Sequence, residues 1–357
     1  MLEQAKFLID QLEQQHTLTT EAYVYLLTHA HTEIRQYAAK KANAVRQKIY
    51  GTDVYIRGLI EISNYCKNDC YYCGIRRSNH SCNRYRLTEE EILTCCADGY
   101  ALGFRTFVLQ GGEDGYYSDT VLEPLLIKLK QQYPDVAITL SLGERSEESY
   151  QRLFHAGADR YLLRHETATK MHYQQLHPPE MSYQNRLRCL HALREIGYQV
   201  GCGMMVGSPY QTPQHLAADL MMIQTFQPEM CGIGPFIPHP ATPFADEPAG
   251  SVDLTCFLLS LIRLAVPHVL LPATTALATL DKHGREKGML AGANVVMPNL
   301  SPTSVRGKYE LYQNKRHSGA ESAQQRRILE AQMAAIGFVV KTDRGDAKRN
   351  LNGKNNV

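Results

Sequence analysis

Short runs of β-branched and aromatic residues alternate with amphipathic stretches from residue 54 onward, and this alternation restricts the possible folds more than any other feature. Eight such pairs follow one another along the chain. The strand-like runs lie near residues 55–62, 105–109, 136–140, 160–163, 198–206, 230–234, 268–272 and 293–297. Strands that alternate with helices form a parallel sheet, and eight pairs favour a complete (β/α)8 barrel of the TIM type. A miscount of two pairs would leave a partial barrel of six strands.

The regions outside the barrel divide the chain further. Residues 1–50 carry apolar side chains at helical spacing, with Thr20 before Glu21 as a candidate cap, and predict an N-terminal helical extension. The barrel is expected over residues 51–341. Residues 342–357 are rich in Lys, Arg, Asn and Gly and predict a mobile polar tail.

Two helices of the barrel have recognisable first turns. Thr88 followed by Glu91 is typical of a capping box. Pro213 after Thr212 places a proline where a helix begins, because its missing N–H has no partner there.

Composition and charge indicate an ordinary soluble globular protein. Hydrophobic residues make up 44% of the chain, charged residues 21%, and the formal net charge is +2. The basic residues are scattered, so no nucleic-acid partner is expected. The first residues lack the pattern of a signal peptide, and no stretch approaches the roughly 20 apolar residues of a membrane span. We therefore expect a cytoplasmic protein without a membrane partner.

Three of the ten cysteines, Cys66, Cys70 and Cys73, lie within eight residues directly after the first predicted strand. In a barrel this position is the rim at the carboxyl ends of the strands, where catalytic groups lie. Thiolates are the ligands that zinc and iron–sulfur clusters prefer. Cys82 is the other cysteine with a conceivable role, and the remaining six are expected to be small apolar core residues: Cys95, Cys96, Cys189, Cys202, Cys231 and Cys256.

The ligand count separates an iron–sulfur cluster from zinc. A structural zinc site needs a fourth ligand, and the nearest candidates, His80 and Cys82, lie on a separate loop. Three cysteines alone suit a cubane cluster with one open iron. We therefore favour the cluster, with a non-catalytic zinc-binding scaffold as the alternative.

Polar residues follow two further strands at the same rim. Gly111 and Gly112 precede Glu113 and would let a ligand approach the backbone closely, although a tight turn would use the same residues. Arg164 and Glu166 follow the fourth strand and could bind a carboxylate and an ammonium group, with Arg186 reaching back from the next helix. A salt-bridge network is the alternative interpretation of these charges.

The cysteine spacing, with Tyr72 before the last cysteine, resembles the signature of the radical S-adenosylmethionine superfamily. The resemblance implies a single 4Fe-4S cluster on Cys66, Cys70 and Cys73, whose open iron binds the methionine amino and carboxylate groups. An electron from the cluster then splits the sulfonium to give a 5′-deoxyadenosyl radical. Residues 111–113 resemble the Gly-Gly-Glu element of this superfamily, which meets the methionine amino group.

Further segments resemble the HydE family of FeFe-hydrogenase maturases over about residues 55–300. These segments are 109–114, 140–144, 163–167, 233–240, 272–276 and 292–299. The resemblance implies that S-adenosylmethionine also contacts Glu166, Arg186 and Ile237. It implies a substrate site deeper in the barrel, formed by Gln110, Thr139, Arg164, Thr274 and Thr275 and closed by Tyr309 or Tyr312.

The family acts in assembling the hydrogenase H-cluster, on the way to its dithiomethylamine-bridged di-iron subcluster. This role implies a small polar or iron-bound sulfur-containing substrate, an electron donor and other hydrogenase maturation proteins as partners. Some members carry a second cluster near the C-terminus, but no cysteine follows Cys256 here, so we expect one cluster only.

Two related activities compete with this interpretation. Methylornithine synthase shares the cysteine loop and a segment like Tyr85-Arg86, but the runs at 235–240 and 272–275 favour the maturase family. Sulfur insertion of the biotin synthase kind is disfavoured because it would need further cysteines lining the barrel. The mechanistic hypothesis is reductive cleavage at the cluster, followed by attack of the radical on a buried substrate.

Overall fold

The computed structural model describes residues 1–316 and 322–348. Three helices come first, α1 (Leu2–Gln15), α2 (Thr20–Thr28) and α3 (Thr32–Tyr50), so the helical character predicted for this region is observed. The cap of α2 is Thr19, whose hydroxyl accepts a hydrogen bond from the Ala22 N–H. The prediction of Thr20 as the cap was therefore wrong by one residue.

Strands and helices then alternate as far as residue 296. The first half consists of β1 (Asp53–Ile56), β2 (Gly58–Ser63), α4 (Glu89–Ala101), β3 (Thr106–Gly111), α5 (Asp119–Gln132), β4 (Ala137–Ser141), α6 (Glu147–His155) and β5 (Arg160–Leu162). The second half consists of α7 (Lys170–Leu176), α8 (Tyr183–Ile196), β6 (Gln199–Cys202), β7 (Met205–Val206), α9 (Pro213–Phe226), β8 (Met230–Cys231), β9 (Gly234–Pro235), α10 (Val252–Ala265), α11 (Thr275–Leu280), α12 (Gly284–Leu290) and β10 (Val295–Val296).

The chain ends with α13 (Thr303–Arg306), a 3₁₀ turn (Ala323–Gln325), α14 (Arg326–Ala335) and β11 (Val339–Lys341). The short strand β11 was not predicted. It pairs in parallel with β1, on the side opposite β10.

Parallel pairing runs around the barrel. Strands β2, β3, β4, β5, β6 and β8 form one six-stranded sheet in that order. Beyond β8, Leu270 bridges to Met230, and Pro272 bridges to Val295 of β10. Strand β10 pairs with β1, whose chain continues into β2. The predicted α/β class of parallel strands with intervening helices is therefore confirmed. Closure into a complete barrel depends on the single bridges at Leu270 and Pro272 and stays a prediction.

Two predicted strands are interrupted in the structure. The run 198–206 divides into β6 and β7, because Gly203 between them has a φ of 151° that breaks the extended backbone. The run 268–272 forms single bridges in place of a regular strand. Its Pro272 has no N–H to donate to a ladder, which limits how far pairing extends.

Helix beginnings agree with the sequence. Thr88 and Glu91 form the predicted capping box, in which each side chain accepts a hydrogen bond from the other residue's N–H. Thr212 caps α9, with Pro213 in its first turn. Both predictions are confirmed.

The three N-terminal helices pack on the outside of the barrel. Helix α3 lies against α10, and α2 lies against α9. Gln224 of α9 accepts hydrogen bonds from the Leu18 N–H (2.9 Å) and the Tyr23 hydroxyl (2.8 Å). These contacts cover one flank of the barrel and leave the carboxyl ends of the strands uncovered by the extension.

Residues 342–348, the beginning of the predicted tail, contact the amino ends of the barrel strands. Arg160, the first residue of β5, is fully buried, and its Nη2 lies 2.5 Å from Asp346 Oδ1. The same oxygen accepts a hydrogen bond from Gln199 Nε2 (2.9 Å), and the Arg344 carbonyl accepts one from the Thr106 hydroxyl (2.7 Å). Residues 349–357 of the predicted tail lie outside the described residues.

We expect Asp346→Asn to reduce the free energy of unfolding by about 2 kcal/mol at neutral pH, because the variant leaves the Arg160 guanidinium buried without its carboxylate. Burial opposes ionisation of Asp346, but Arg160 outweighs it and lowers the pKa of this carboxyl well below its ordinary value. The stabilisation is therefore present above the unfolded-state pKa of about 4 and is lost as the pH falls below it. The free energies of unfolding of wild type and variant, measured by urea unfolding, should differ less and less as the pH falls from about 5 to about 2. The exposed neighbour Asp343 provides the control variant Asp343→Asn, and an equal loss in that variant would contradict the assignment.

Candidate active site at the carboxyl ends of the strands

The loop that carries Cys66, Cys70 and Cys73 leads from β2 towards α4, and all three cysteines are half-buried. Main-chain hydrogen bonds attach this loop to three separate parts of the chain. The Lys67 N–H donates to the Glu113 carbonyl (2.9 Å), the Tyr71 N–H to the Leu176 carbonyl (3.0 Å), and the Gly74 N–H to the Leu311 carbonyl (2.8 Å). The loop is therefore held in place by β3, α7 and the segment after α13.

Arg84 and Asp69 organise the interior of the loop, and sequence reasoning did not identify either of them. The Arg84 guanidinium donates to four main-chain carbonyls, those of Asn64, Ile75, Arg76 and Asn79. The Asp69 carboxylate accepts from Arg76 Nε (2.8 Å) and from the N–H (3.0 Å) and hydroxyl (2.6 Å) of Ser78. Because these partners lie up to 20 residues away, they give no short motif that a sequence could reveal.

The three thiols influence one another electrostatically. Burial raises the pKa of Cys70, and the neighbouring sulfurs of Cys73 and Cys66 raise it further. Burial likewise raises the pKa of Cys73 to about 12, with Cys66 as the next cause. Thiolates crowded in this way require a positively charged partner to hold them in the ionised form.

The donor set suits a polynuclear centre, because it consists of three thiols on one loop. In a cubane cluster each cysteine binds a different iron, so the sulfurs do not have to converge on one point. The donor set of three sheltered thiols therefore fits a 4Fe-4S cluster.

Tyr72, between two of these cysteines, is anchored by a histidine from α7. His177 Nδ1 lies 2.9 Å from the Tyr173 carbonyl and must carry the ring proton, so Nε2 accepts a hydrogen bond from the Tyr72 hydroxyl (3.0 Å). Burial lowers the pKa of His177 to about 3, so the ring is neutral. Burial also raises the pKa of Tyr72, and the nearby charges of Cys70 and Glu166 raise it further. The cysteine loop and the end of β5 therefore meet at Tyr72.

Glu113 joins the cysteine loop to the loop after β4. Its Oε1 accepts a hydrogen bond from the Glu144 N–H (2.9 Å), and its Oε2 lies 3.1 Å from Lys67 Nζ. Gly143 makes this approach possible, since its φ is 78° and a Cβ there would lie 1.9 Å from Glu113 Cγ. At Gly112 a Cβ would lie 2.2 Å from the Tyr65 carbonyl oxygen. Gly112 is therefore required by the packing of the chain itself, which fits the tight turn considered as the alternative, and the predicted approach of a ligand at Gly111 and Gly112 stays a prediction.

The charged residues after β5 and on α8 lie together. Arg164 Nη2 is 3.5 Å from Glu166 Oε2. Arg186 Nε is 2.5 Å from Glu144 Oε1, and its Nη1 donates to the Arg164 carbonyl (2.6 Å). Glu144 lies in a segment that the family resemblance included, but its ion pair with Arg186 was not predicted. This ion pair holds the Arg186 guanidinium beside residues 164–168, the turn that carries Glu166 and is called the arch below.

Several residues of the predicted substrate site have buried polar atoms without a partner among the residues that the structure describes. These atoms are Thr139 Oγ1, Thr274 Oγ1 and Arg164 Nε. Thr274 is the N-cap position of α11, where Thr275 begins the helix, yet its hydroxyl makes no capping hydrogen bond. A buried polar group that stays unpaired costs about 1–3 kcal/mol. The group of them therefore indicates a place that a polar ligand fills.

The segment after α13 covers this region. Gln110 Nε2 donates to the Tyr309 hydroxyl over 3.4 Å, and Tyr309 is buried. Tyr312 is directed elsewhere, towards the Thr279 hydroxyl on α11. Of the two tyrosines considered for closing the substrate site, Tyr309 is the one that contacts another predicted substrate residue. Ile237, expected beside the adenosyl group, is buried just after β9.

A buried ion pair holds the covering segment down. Lys315 Nζ contacts Glu61 Oε1, and the other oxygen of Glu61 accepts a hydrogen bond from Asn299 Nδ2 (2.9 Å). Asn64 Nδ2 donates to the Lys308 carbonyl (2.7 Å), and the Gln313 N–H donates to the Pro238 carbonyl (3.1 Å). The segment is thus bonded to strands on both sides of the barrel.

The remaining cysteines behave as predicted. Cys256 packs against the hydrophobic core. The other five lie within it: Cys95, Cys96, Cys189, Cys202 and Cys231. Cys82 accepts a weak hydrogen bond from Asn64 Nδ2 at 3.5 Å. Across residues 1–316 and 322–348, no helix has the length and apolar character needed to cross a bilayer.

Comparisons with known proteins agree with this fold and site. A family model described as the radical SAM superfamily matches residues 60–223, which together with the relative described next defines the chain as an enzyme of that superfamily. The FeFe-hydrogenase maturase subunit HydE of Thermotoga maritima is 46% identical over 276 residues, which cover 77% of this chain and 78% of that protein. The chain therefore belongs to the HydE family. Its cofactors are those of the superfamily, a 4Fe-4S cluster and S-adenosylmethionine.

Methylornithine synthase is a more distant relative. The 3-methylornithine synthase of Methanosarcina barkeri is 30% identical over 271 residues, covering 76% of this chain and 75% of that protein. The crystal structure of a methylornithine synthase, PylB, superposes with a TM-score of 0.82 at 26% identity and covers 94% of this chain and 97% of that one.

Proposed function

We propose that this enzyme acts in the maturation of FeFe-hydrogenase, on the small-molecule or iron-bound precursors of the H-cluster di-iron subcluster. The main support is the 46% identity with a HydE protein over 77% of the chain. The site agrees with this role, because unpaired hydroxyl and guanidinium groups suit a small polar or anionic sulfur-containing substrate.

In this proposal Cys66, Cys70 and Cys73 hold the cluster through three of its irons. Together the cluster and S-adenosylmethionine supply a 5′-deoxyadenosyl radical when bound. Arg84 and Asp69 keep the loop in the conformation that presents the thiolates, through the main-chain contacts described above. Tyr72 is fixed by His177 and closes the side of the loop that faces Glu166.

The methionine moiety is bound by charged side chains that the chain already orients. Glu166 accepts from the ammonium group, and Arg186 binds the carboxylate, while Glu144 fixes the direction of the guanidinium. The strand end at Gly111 and Gly112 gives the close backbone approach, and Glu113 ties this turn to Lys67 of the cysteine loop. Ile237 packs against the adenosyl group.

The substrate lies deeper, against Gln110, Thr139, Arg164, Thr274 and Thr275. Tyr309 covers it from the segment after α13, and its hydroxyl accepts a hydrogen bond from Gln110 Nε2. Because this segment is bonded to both sides of the barrel, it excludes water from the place where a reactive radical would act. An electron donor and other hydrogenase maturation proteins are the proposed partners, and the cytoplasm is the proposed location.

The test combines chemistry with a cellular readout. The enzyme is reconstituted anaerobically with iron and sulfide, reduced with dithionite in the presence of S-adenosylmethionine, and assayed for 5′-deoxyadenosine. In parallel, the gene replaces that of the HydE maturase in a host that makes an active FeFe-hydrogenase. Cleavage together with restored hydrogenase activity is the expected result.

Lysine serves as the discriminating substrate, because a methylornithine synthase is 30% identical to this chain. Turnover of lysine to methylornithine without restored hydrogenase activity would replace the proposed function by that of the mutase. A zinc-containing protein that forms no 5′-deoxyadenosine would overturn both.

A further inference from the structure

Glu166 has an unusual backbone conformation. Its φ of 65° lies in the left-handed region, which residues other than glycine rarely occupy. Its side chain is also buried, and one carboxylate oxygen has no hydrogen-bond partner among the described residues. A residue in such a conformation persists only where the surrounding structure holds it there.

Two hydrogen bonds tie this part of the chain to Gly203, between β6 and β7. The Glu166 N–H donates to the Gly203 carbonyl (3.0 Å), and the Gly203 N–H donates to His165 Nδ1 (3.2 Å). His165 is completely buried. Because its Nδ1 accepts a hydrogen bond, the neutral ring carries its proton on Nε2.

The Nε2 side of the ring lies against Asp219 on α9. His165 Nε2 lies 3.3 Å from Asp219 Oδ1, and both side chains are completely buried. The same oxygen accepts a hydrogen bond from the Ala168 N–H (2.5 Å). Asp219 therefore contacts the chain one residue before Glu166 and two residues after it.

The arch between these contacts also presents a second group. The Arg164 carbonyl accepts a hydrogen bond from Arg186 Nη1 (2.6 Å). The position of the arch thus determines where the Glu166 carboxylate lies and how the Arg186 guanidinium is oriented. Neither His165 nor Asp219 makes these two contacts itself.

We propose that His165 and Asp219 form a buried pair that holds Glu166 in its left-handed conformation, which makes Asp219 a positioning residue for S-adenosylmethionine. The inference rests on the proposed role of Glu166 and deepens it, because it assigns the affinity for the methionine moiety partly to a residue on a different helix. Asp219 acts through the arch and does not touch the cofactor.

The substitution Asp219→Ala tests this by removing the acceptor. Both contacts of the carboxylate use Oδ1, which accepts from the Ala168 N–H (2.5 Å) and lies 3.3 Å from His165 Nε2. Asp219→Asn is the matched control, because its amide oxygen can occupy the position of Oδ1 and keep both contacts. In Asp219→Ala the buried Ala168 N–H has no acceptor, and we expect the arch to shift.

The measurement is the dissociation constant of S-adenosylmethionine for the reconstituted enzyme, from its effect on the electron paramagnetic resonance spectrum of the reduced cluster. We expect Asp219→Ala to weaken binding by about 10- to 100-fold, as substitutions behind a ligand-binding residue usually do, and Asp219→Asn to bind as the wild type does. Asp346→Asn is a second control, since it removes an ion-paired carboxylate at the opposite end of the same barrel. It should lower stability and leave this dissociation constant at the wild-type value.

A double-mutant cycle with Glu166→Ala separates positioning from a general loss of structure. Alanine keeps a Cβ at the strained position but removes the carboxylate. If Asp219 acts through Glu166, adding Asp219→Ala to Glu166→Ala weakens binding much less than it does in the wild type.

The remaining outcomes of these experiments distinguish a failure of the inference from a failure of the proposed function. Wild-type affinity in Asp219→Ala, or fully additive effects in the double variant, would overturn the inference and leave the proposed function intact. A wild-type enzyme that neither binds nor cleaves S-adenosylmethionine would overturn the proposed function, and the inference with it.

Discussion

Replacing Cys70 by alanine should abolish the formation of 5′-deoxyadenosine by the reconstituted enzyme. The cluster has only three protein ligands in the proposed site, and the loss of one leaves two irons without a thiolate from the chain. Burial and the neighbouring sulfurs of Cys73 and Cys66 raise the pKa of Cys70, so this thiol ionises only when it has a metal partner. We expect the rate to fall by about 10³-fold or more, to the limit of detection. Chromatographic assay of 5′-deoxyadenosine, with iron and sulfide analysis of each preparation, measures both effects.

Cys256→Ala is the matched control for this prediction. Cys256 is also half-buried, but it lies on α10 and packs against the hydrophobic core. The variant should retain the iron content and cleavage rate of the wild type. Equal activity in Cys70→Ala and Cys256→Ala would contradict the assignment of the cluster ligands.

Gly143→Ala should lower kcat/KM for S-adenosylmethionine by about 10²-fold, since a displacement of about 1 Å in a binding group has an effect of this size. The new Cβ would lie 1.9 Å from Glu113 Cγ, and the φ of 78° is unfavourable for alanine. Glu113 has to move, and it would lose contact with the Glu144 N–H and with Lys67. The quantities to compare are kcat and KM for S-adenosylmethionine, and we expect KM to change most.

Gly115 offers a control two residues beyond Glu113. A Cβ at Gly115 meets no atom within 4 Å, so Gly115→Ala changes the loop that carries Glu113 without a collision. Its kinetic constants should stay within about two-fold of the wild type. A similar defect in both variants would show that the site responds to any substitution near Glu113, and it would contradict the specific role of Gly143.

The features that the sequence predicts well are those encoded by neighbouring residues. The alternation of strands and helices, the capping box at Thr88 and the proline at the start of α9 all depend on short-range patterns, and each is present in the structure. The cysteine loop belongs to the same kind, because three ligands within eight residues are visible without any knowledge of the fold.

The features that escaped prediction depend on contacts across the fold. Glu144 binds Arg186 from a distance of 42 residues, and Asp219 meets the Ala168 N–H across 51 residues. A carboxylate in a helix pattern looks like any solvated side chain until the barrel brings its partner close. The strand β11 was missed for a related reason, since three residues that pair only with β1 carry too short a pattern.

The hydrogen bond between the Gly74 N–H and the Leu311 carbonyl joins the cysteine loop to the segment that covers the barrel. Order in the two parts is therefore linked, because a contact that both share stabilises each of them to the same extent. A variant that loosens the cover is expected to loosen the cysteine loop as well.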